Sequence, residues 1–347
     1  MRAPPEDIET SALIAVLLDE WGFDAVSAEY APVGGGSYHW VVTDRDGTRA
    51  FVTVDDLDWK HWLGDTREAA FDGLRRAFDT AVALRDGGLE FVVAPIPTRR
   101  GETVQRIGPR HTIALFPFVA GEAGRFGHYE SAERAAVVRM LAELHRATPA
   151  VASVANKFEL DLPGRPRLEA ALGDVSRAWL GGPFSEPARQ ALARHASDVV
   201  ELLALADRLA ADLERRGGPW VVTHGEPHAG NVMRAGESRL LVDWDTVALG
   251  PPERDLWMVL GDGADEATIY ANATGHQPDQ MAVDFFRLAW DLEDLAGFIN
   301  VLRSPHRHSA DTVKAYEAVL YCVKSRDRWA ADGAGQRLGA VEDVTSL

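Results

Sequence analysis

A single strand-rich island in an otherwise helical second half does most to limit what this chain can fold into. From Ser131 onward the apolar spacing is helical. Val137, Val138, Leu141 and Leu144 share one face behind an N-cap at Ser131. Ser185 is expected to cap a long helical stretch that runs to Gly217-Gly218, and Ala282–Leu302 and Ala310–Trp329 read as further helices. Leu162–Arg167, with two prolines and a glycine, reads as a loop. Trp220–Asp245 breaks the pattern. An apolar strand runs into the polar loop His224–Asn231, and a hairpin turning at Ala235-Gly236 ends in Leu240-Leu241-Val242-Asp243. The Glu226 carboxylate, the Asn231 amide and the Asp243 carboxylate are thereby predicted at one end of one hairpin.

The first 116 residues follow a different order. Asp7–Trp21 reads as a helix through Ile8, Leu13, Val16 and Leu17. Gly34, Gly35 and Gly36 then precede a strand at Tyr38–Thr43, a turn at Asp44-Arg45-Asp46-Gly47 and a strand at Ala50–Val54. Asp65–Arg85 reads as a helix stopped by Gly87-Gly88. Glu90–Ala94, Thr103–Ile107 and His111–Phe116 read as strands. This alternation suits a small lobe on an antiparallel sheet, so the fold class expected is α+β. Phe116–Gly124, with Pro117, Gly121 and Gly124, reads as a connector.

Composition removes whole classes of function. The 347 residues exceed one average domain, and no repeat of solenoid length occurs. Asp and Glu number 53 against 36 Lys and Arg, a net charge of −17. Such a chain repels nucleic acid and anionic membrane, and it favours cationic ligands. No apolar run approaches the ~20 residues of a membrane span. Met1–Glu9 carries three acids and one arginine, unlike a secretory signal, so a cytoplasmic location is expected. Cys322 is the single cysteine, which excludes an intramolecular disulfide and a cysteine metal cage.

A carboxylate, an amide and a second carboxylate in a loop are what phosphoryl transfer requires. One acid orients and deprotonates the attacking hydroxyl; Asn and Asp oxygens hold Mg²⁺ against the phosphates. Zinc held by His224, Glu226 and His228 is a competing reading, but it needs a helix that Gly225, Pro227 and Gly230 oppose. A third reading has His224 and Asn231 merely satisfying backbone groups in a tight loop.

His224-Gly225-Glu226, Asn231 five residues on, and then Val242-Asp243-Trp244-Asp245 resemble the catalytic and metal loops of the aminoglycoside phosphotransferase family. Leu115–Gly121 resembles its hinge, and Pro252-Glu253-Arg254-Asp255-Leu256 the segment whose acid braces the catalytic loop. The spelling is similar to that of the spectinomycin-type branch. The resemblance implies a protein-kinase-like fold: a nucleotide-binding lobe at residues 1–116, a hinge at 117–124, and a catalytic and substrate-binding lobe at 125–347. It implies Glu226 as catalytic base and Asn231 and Asp243 as Mg²⁺ ligands. Gly34, Gly35, Gly36 and Ser37 would cover the phosphates, and the Phe116–Phe118 segment, with Phe116 and Phe118 at its ends, would seat the adenine of ATP (or the base of GTP).

Two departures matter. The base is Glu where the family has Asp, and positioning errors near 1 Å cost on the order of a hundredfold in rate. The third strand carries Thr53 or Val54 where the family has its phosphate-gripping lysine. Lys60 is the only lysine before Lys157, and two readings of it stay open: it reaches back from the loop, paired with Glu68, or it is a solvated surface residue. On the acceptor side, Asp245 with Trp290, Asp291 and Asp294 would form an acidic wall for a small cationic, sugar-like molecule, while Glu293 reads as solvated. An aminoglycoside or aminocyclitol kinase, a metabolic kinase for a sugar or amino alcohol, and a nucleotide-binding pseudokinase all remain open.

Overall fold

The computed structural model describes residues 3–5, 7–125, 129, 131–261 and 265–326. The chain divides into two compact units, Met1–Glu159 with Gly217–Val283, and Leu160–Arg216 with Asp284–Leu347.

In the first unit, helix α1 (Thr10–Val16) runs on into a π-helical turn at Leu17–Trp21. Strands β1 (Ala25–Tyr30), β2 (Tyr38–Asp44) and β3 (Arg49–Asp56) follow, then helix α2 (Arg67–Asp86), β4 (Gln105–Ile107) and β5 (His111–Pro117). They form an antiparallel sheet ordered β1-β2-β3-β5-β4. The β2–β3 turn closes as its sequence implies: Asp44 Oδ1 accepts from the backbone N–H of Asp46 and Thr48. Strand alternation separates two cores. Trp40, Val42, Val52, Val54 and Leu115 pack with Leu13 and Leu17, whereas Phe51, Ala114 and Phe116 pack with Leu74 and Phe78 of α2. Thr66 caps α2 by accepting from Ala69 N–H.

The unit continues with β6 (Glu122–Ala123), α3 (Ser131–Arg146), α4 (Thr148–Val151) and β7 (Asn156–Lys157). The chain then enters the second unit for α5 (Arg165–Gly173), α6 (Ser185–Arg194) and α7 (Ala196–Arg216). It returns for β8 (Val221–Thr223), β9 (Val232–Ala235), β10 (Ser238–Leu241), β11 (Ala248–Gly250), α8 (Glu253–Leu256) and α9 (Asp265–Thr274). Helix α10 (Gln280–Arg303) leads back into the second unit, which ends with α11 (Ala310–Cys322). β9 and β10 pair as the predicted hairpin, and β6 adds to the free edge of β9. β8 belongs to a different small sheet, ordered β7-β11-β8.

The predicted mixed α+β architecture is present, with several local differences. Glu90–Ala94 forms no strand; Val92 makes one isolated bridge to Leu241, because its partners belong to the end of β10 rather than to the N-terminal sheet. The stretch from Ser185 to Gly217 is two helices that meet at His195. Ser185 is not a cap but the first helical residue; its Oγ accepts from Gly182 N–H and donates to Leu302 O. The loop predicted at Leu162–Arg167 gives way to α5 at Arg165, because Pro166 fits a first helical turn. The side chain of Ser131 and the end of the 310–329 helix at Trp329 lie outside the described residues.

Candidate active site

β8 delivers the chain into His224-Gly225-Glu226, and buried polar groups lock that loop from beneath. Asp255 of α8 accepts from His224 N–H (2.8 Å, Oδ2) and from Gly225 N–H (2.6 Å, Oδ1). Asp255 also meets His145 Nε2 at 3.0 Å, and His145 Nδ1 meets the Tyr270 hydroxyl at 2.7 Å. Burial would raise the Asp255 pKa; the hydrogen bond from His145 and the charges of His145, His224 and Arg254 hold it below the ordinary carboxylate value. Arg254 donates to Thr223 Oγ1 and to the Thr246 carbonyl, each at 2.8 Å. Gly225 has φ +100°, and a Cβ there would lie 2.5 Å from the Arg254 guanidinium. Glycine is therefore required twice over at this position.

His224 is fully buried. Its Nδ1 accepts from Glu226 N–H (3.2 Å), so the ring proton lies on Nε2, which donates to Val242 O (2.9 Å). Both ring nitrogens are thus spent on the backbone of the two loops, which removes the zinc reading for His224. Burial lowers its pKa from 6.5 to about 4, against the pull of Asp255.

The loops 224–231 and 242–245 are joined by the same kind of bond. Val242 N–H donates to Asn231 O (3.0 Å), and Asn231 Nδ2 donates to Glu226 O (2.9 Å). The amide nitrogen of Asn231 being used, its Oδ1 is left as the acceptor end. Asp243 has φ +68°, the one positive φ of a non-glycine among the described residues. Such strain persists only where surrounding structure enforces it. Here Trp244 does so: it is fully buried, edge-on to His224 at 4.7 Å, with its Nε1 donating to Leu241 O. Asp243 itself keeps solvent access. Dense protein around its carboxyl, then the charges of Asp245 and Asp55, push its pKa up to about 7 against the pull of Lys60. Oxygen donors crowded with negative charge suit a hard divalent cation. No cluster of three His, Cys, Asp or Glu side chains forms a metal cage among the described residues. An Asn and an Asp with phosphates completing the shell are the donor set that Mg²⁺ takes.

Lys60 is not a surface residue. It is 1% exposed, and its Nζ lies 2.8 Å from Asp55 Oδ1, 2.5 Å from Asp245 Oδ2 and 3.1 Å from Ser37 Oγ. Burial alone would lower its pKa; Asp245, Asp55 and Asp243 outweigh that and hold it above the ordinary lysine value. The predicted Glu68 pairing does not form: Glu68 is largely exposed, with Arg106 at 3.9 Å. Helix α2 turns that acid to solvent because Ala70, Leu74 and Ala77 take its buried face. Ser37, at the end of the Gly34-Gly35-Gly36 loop between β1 and β2, donates to Asp55 Oδ1 (2.5 Å). A Cβ on Gly36 would lie 4.0 Å from Lys60 Nζ, so the loop lies over the amine.

The segment expected to be the hinge is fastened to the β9–β10 hairpin. β6 pairs with Arg234 and Met233 of β9, and a Cβ on Gly121 would lie 2.5 Å from Arg234 O. The side chain of Phe116 packs edge-on to Phe78 at 5.5 Å, and Phe118 lies under the Arg49 guanidinium at 3.7 Å. What Phe116 can offer an adenine is therefore backbone, since its ring is core.

Trp290, Asp291 and Asp294 lie on α10 in the second unit, whereas Asp245 lies in the first. Burial, then the charges of Asp291 and Glu293, push the Asp294 pKa up to about 7. Glu293 is not a solvated residue: both its oxygens accept from Gly164 N–H. Sequence reasoning did not single out Asp55, His145 or Tyr270. Strand alternation pairing Thr53 with Asp55 on one face was the signal that could have found Asp55.

Residues 29–286 match the phosphotransferase enzyme family, APH, over most of the chain. The chain belongs to this family. It is thus a transferase of the kinase type, with an alcohol as acceptor. Protein StrN of Streptomyces griseus is 26% identical over 283 residues, 77% of this chain and 83% of that protein. The structure of spectinomycin phosphotransferase APH(9)-Ia, in complex with ADP and spectinomycin, superposes with a TM-score of 0.68 at 17% identity, covering 93% of this chain and 99% of that one. A microcompartment-associated aminopropanol kinase superposes at 0.58 and 17% identity, covering 93% and 98%. At such identities these two structures carry the fold, which is the kinase-like α+β fold expected from the motifs. No helix among the described residues of this phosphotransferase is long and apolar enough to cross a membrane.

Proposed function

We propose that this phosphotransferase moves the γ-phosphoryl group of ATP to a hydroxyl of a small cationic, sugar-like acceptor, with an aminoglycoside or aminocyclitol first among candidates. What supports this reading is that Val242–Asn231 and His224–Val242 bonds join the loop bearing Glu226 and Asn231 to the loop bearing Asp243 and Asp245, and that the buried Lys60, next to Gly36 of the glycine loop, pairs with Asp245. The solved relative bound to ADP and spectinomycin supports the same ligand classes.

In this reading Glu226 accepts the proton of the acceptor hydroxyl as its oxygen attacks the γ-phosphorus, and the bond to the nucleoside diphosphate breaks. Asn231 Oδ1 and Asp243 hold Mg²⁺, which when bound neutralises phosphate charge. The backbone of Phe116–Phe118 seats the base. Asp255 and Arg254 keep the Glu226 loop in place. Release of ADP from Mg-ATP, measured across spectinomycin, other aminoglycosides, choline and aminopropanol, tests it. Turnover with an antibiotic acceptor, and growth protection against the same compound on expression, is the expected result. Turnover only with an amino alcohol would favour a metabolic kinase, the reading that the aminopropanol kinase likeness supports. Nucleotide binding with no transfer to any acceptor would make the chain a pseudokinase.

A further inference from the structure

We infer that the phosphate-gripping lysine and its acidic partner have moved together in this chain: Lys60, from the loop after β3, contacts the nucleotide phosphates, and Asp55, on β3 itself, is the positioning residue that aims it. The inference rests on the kinase reading above and deepens it.

Thr53 stands where that reading calls for a lysine. Of the two candidate positions, Val54 is in the core with Leu13 and Leu17. Thr53 points the opposite way, toward His39 at 3.2 Å, and alternation puts Asp55 on its side of the strand. The strand face that should carry an ammonium group therefore carries an acid two residues on. That acid draws in an amine from five residues further along the chain.

Asp55 has no competing structural duty. It is 1% exposed, its Oδ1 takes both Lys60 and Ser37, and its Oδ2 has no hydrogen-bond partner among the described residues. Its neighbour Asp56 shows the contrast: both its oxygens hold Arg110, and Oδ1 also accepts from Asp58 N–H. A lysine buried merely for stability gains little, since desolvation offsets most of the attraction. Lys60 also has a functional address. It lies between the glycine loop, through Gly36 and Ser37, and the metal loop, through Asp245.

The first test uses the wild-type protein and an ATP acyl-phosphate probe. An amine beside the phosphates attacks the acyl carbon; the amide C–N bond forms, the acyl C–O bond breaks, ATP leaves and the amine's proton passes to solvent. The amines that can react are those of Lys60, Lys157, Lys314 and Lys324 and the α-amino group of the chain. Mass spectrometry should find the label on Lys60 and find it blocked by Mg-ATP. A protein that binds and turns over ATP yet is never labelled at Lys60 overturns this inference and leaves the kinase reading standing. A protein that binds no nucleotide sinks both.

The second test compares Lys60→Arg and Asp55→Asn, which keep the bulk of each side chain where Lys60→Ala would strand buried carboxylates. Both should raise KM for ATP roughly tenfold to a hundredfold, the value of a charge-assisted contact. The affinity for adenosine should stay within about twofold of wild type. Asp55→Glu should recover part of the loss. If ATP and adenosine weaken together, or only the melting temperature moves, Asp55 is structural and the inference fails.

Discussion

At the residue scale, the fold holds side chains of the candidate site against their preferences. Asp243 sits in a left-handed conformation with a carboxyl pushed up to about 7. Asp243→Ala should remove transfer while leaving the protein folded, since loss of a crowded negative charge offsets the cost of Ala at a positive φ; retained turnover would take Asp243 out of the mechanism. Glu226→Gln keeps the shape and loses the base. Its kcat should fall by roughly 10²–10⁴ with nucleotide affinity within about twofold, and a near-normal kcat would move the base elsewhere. Three histidines weigh against the fold in acid. Burial lowers His39, His224 and His228 from 6.5 to about 4. The unfolded chain takes up these protons near pH 6.5, the folded one only near 4. Their contribution is therefore full above pH 6.5, falls between 6.5 and 4 and is constant below, while Asp243 and Asp294, raised to about 7, pull the other way over the same window because the folded chain takes up their protons first. At 1.36 kcal/mol per pKa unit the loss is on the order of 3 kcal/mol per histidine. Imidazole resonances of the folded protein followed by NMR from pH 7.5 to 4 would check this; rings that titrate near 6.5 in the folded chain contradict it.

At the scale of elements, the β9–β10 hairpin is the hub. β9 carries the hinge strand β6 on its edge, β10 receives the Val92 bridge, and the chain past β10 receives His224 through Val242. Gly121 permits the closest of these approaches, so Gly121→Val should push β6 away from Arg234 O. Faster hydrogen exchange at residues 121–124 and 232–235, with a raised KM for ATP, is the expected outcome. Unchanged exchange would mean that β6 is not held by its pairing with β9. The hairpin and the helix α2 were legible because a strand or helix of adequate length writes its period into the sequence. The tether was not, since a two-residue strand has no period. The run Glu90–Ala94 misled for the same reason: its apolar residues record burial, while its partner is chosen by tertiary position.

At the scale of the whole molecule, the charge of −17 bears on the acceptor. An acidic protein attracts a polycationic substrate over a range that salt shortens. KM for a multiply charged aminoglycoside should rise several-fold between about 50 and 300 mM salt, while KM for a neutral hydroxyl acceptor stays level; equal salt dependence would make net charge irrelevant to acceptor choice.

Sequence alone determined the family and the α+β class. Those depend on local spelling: a glycine where φ must be positive, an acid and an amide at a set separation, and apolar periods of two and 3.6. Tertiary structure alone decided where Lys60 goes. No spacing rule links a loop lysine to Asp55 and Asp245; that link exists because an ammonium group taken out of water must end beside carboxylates. The same requirement gave Asp255 its two N–H donors, and it turned Glu68 out to solvent once α2 had committed its other face to the core.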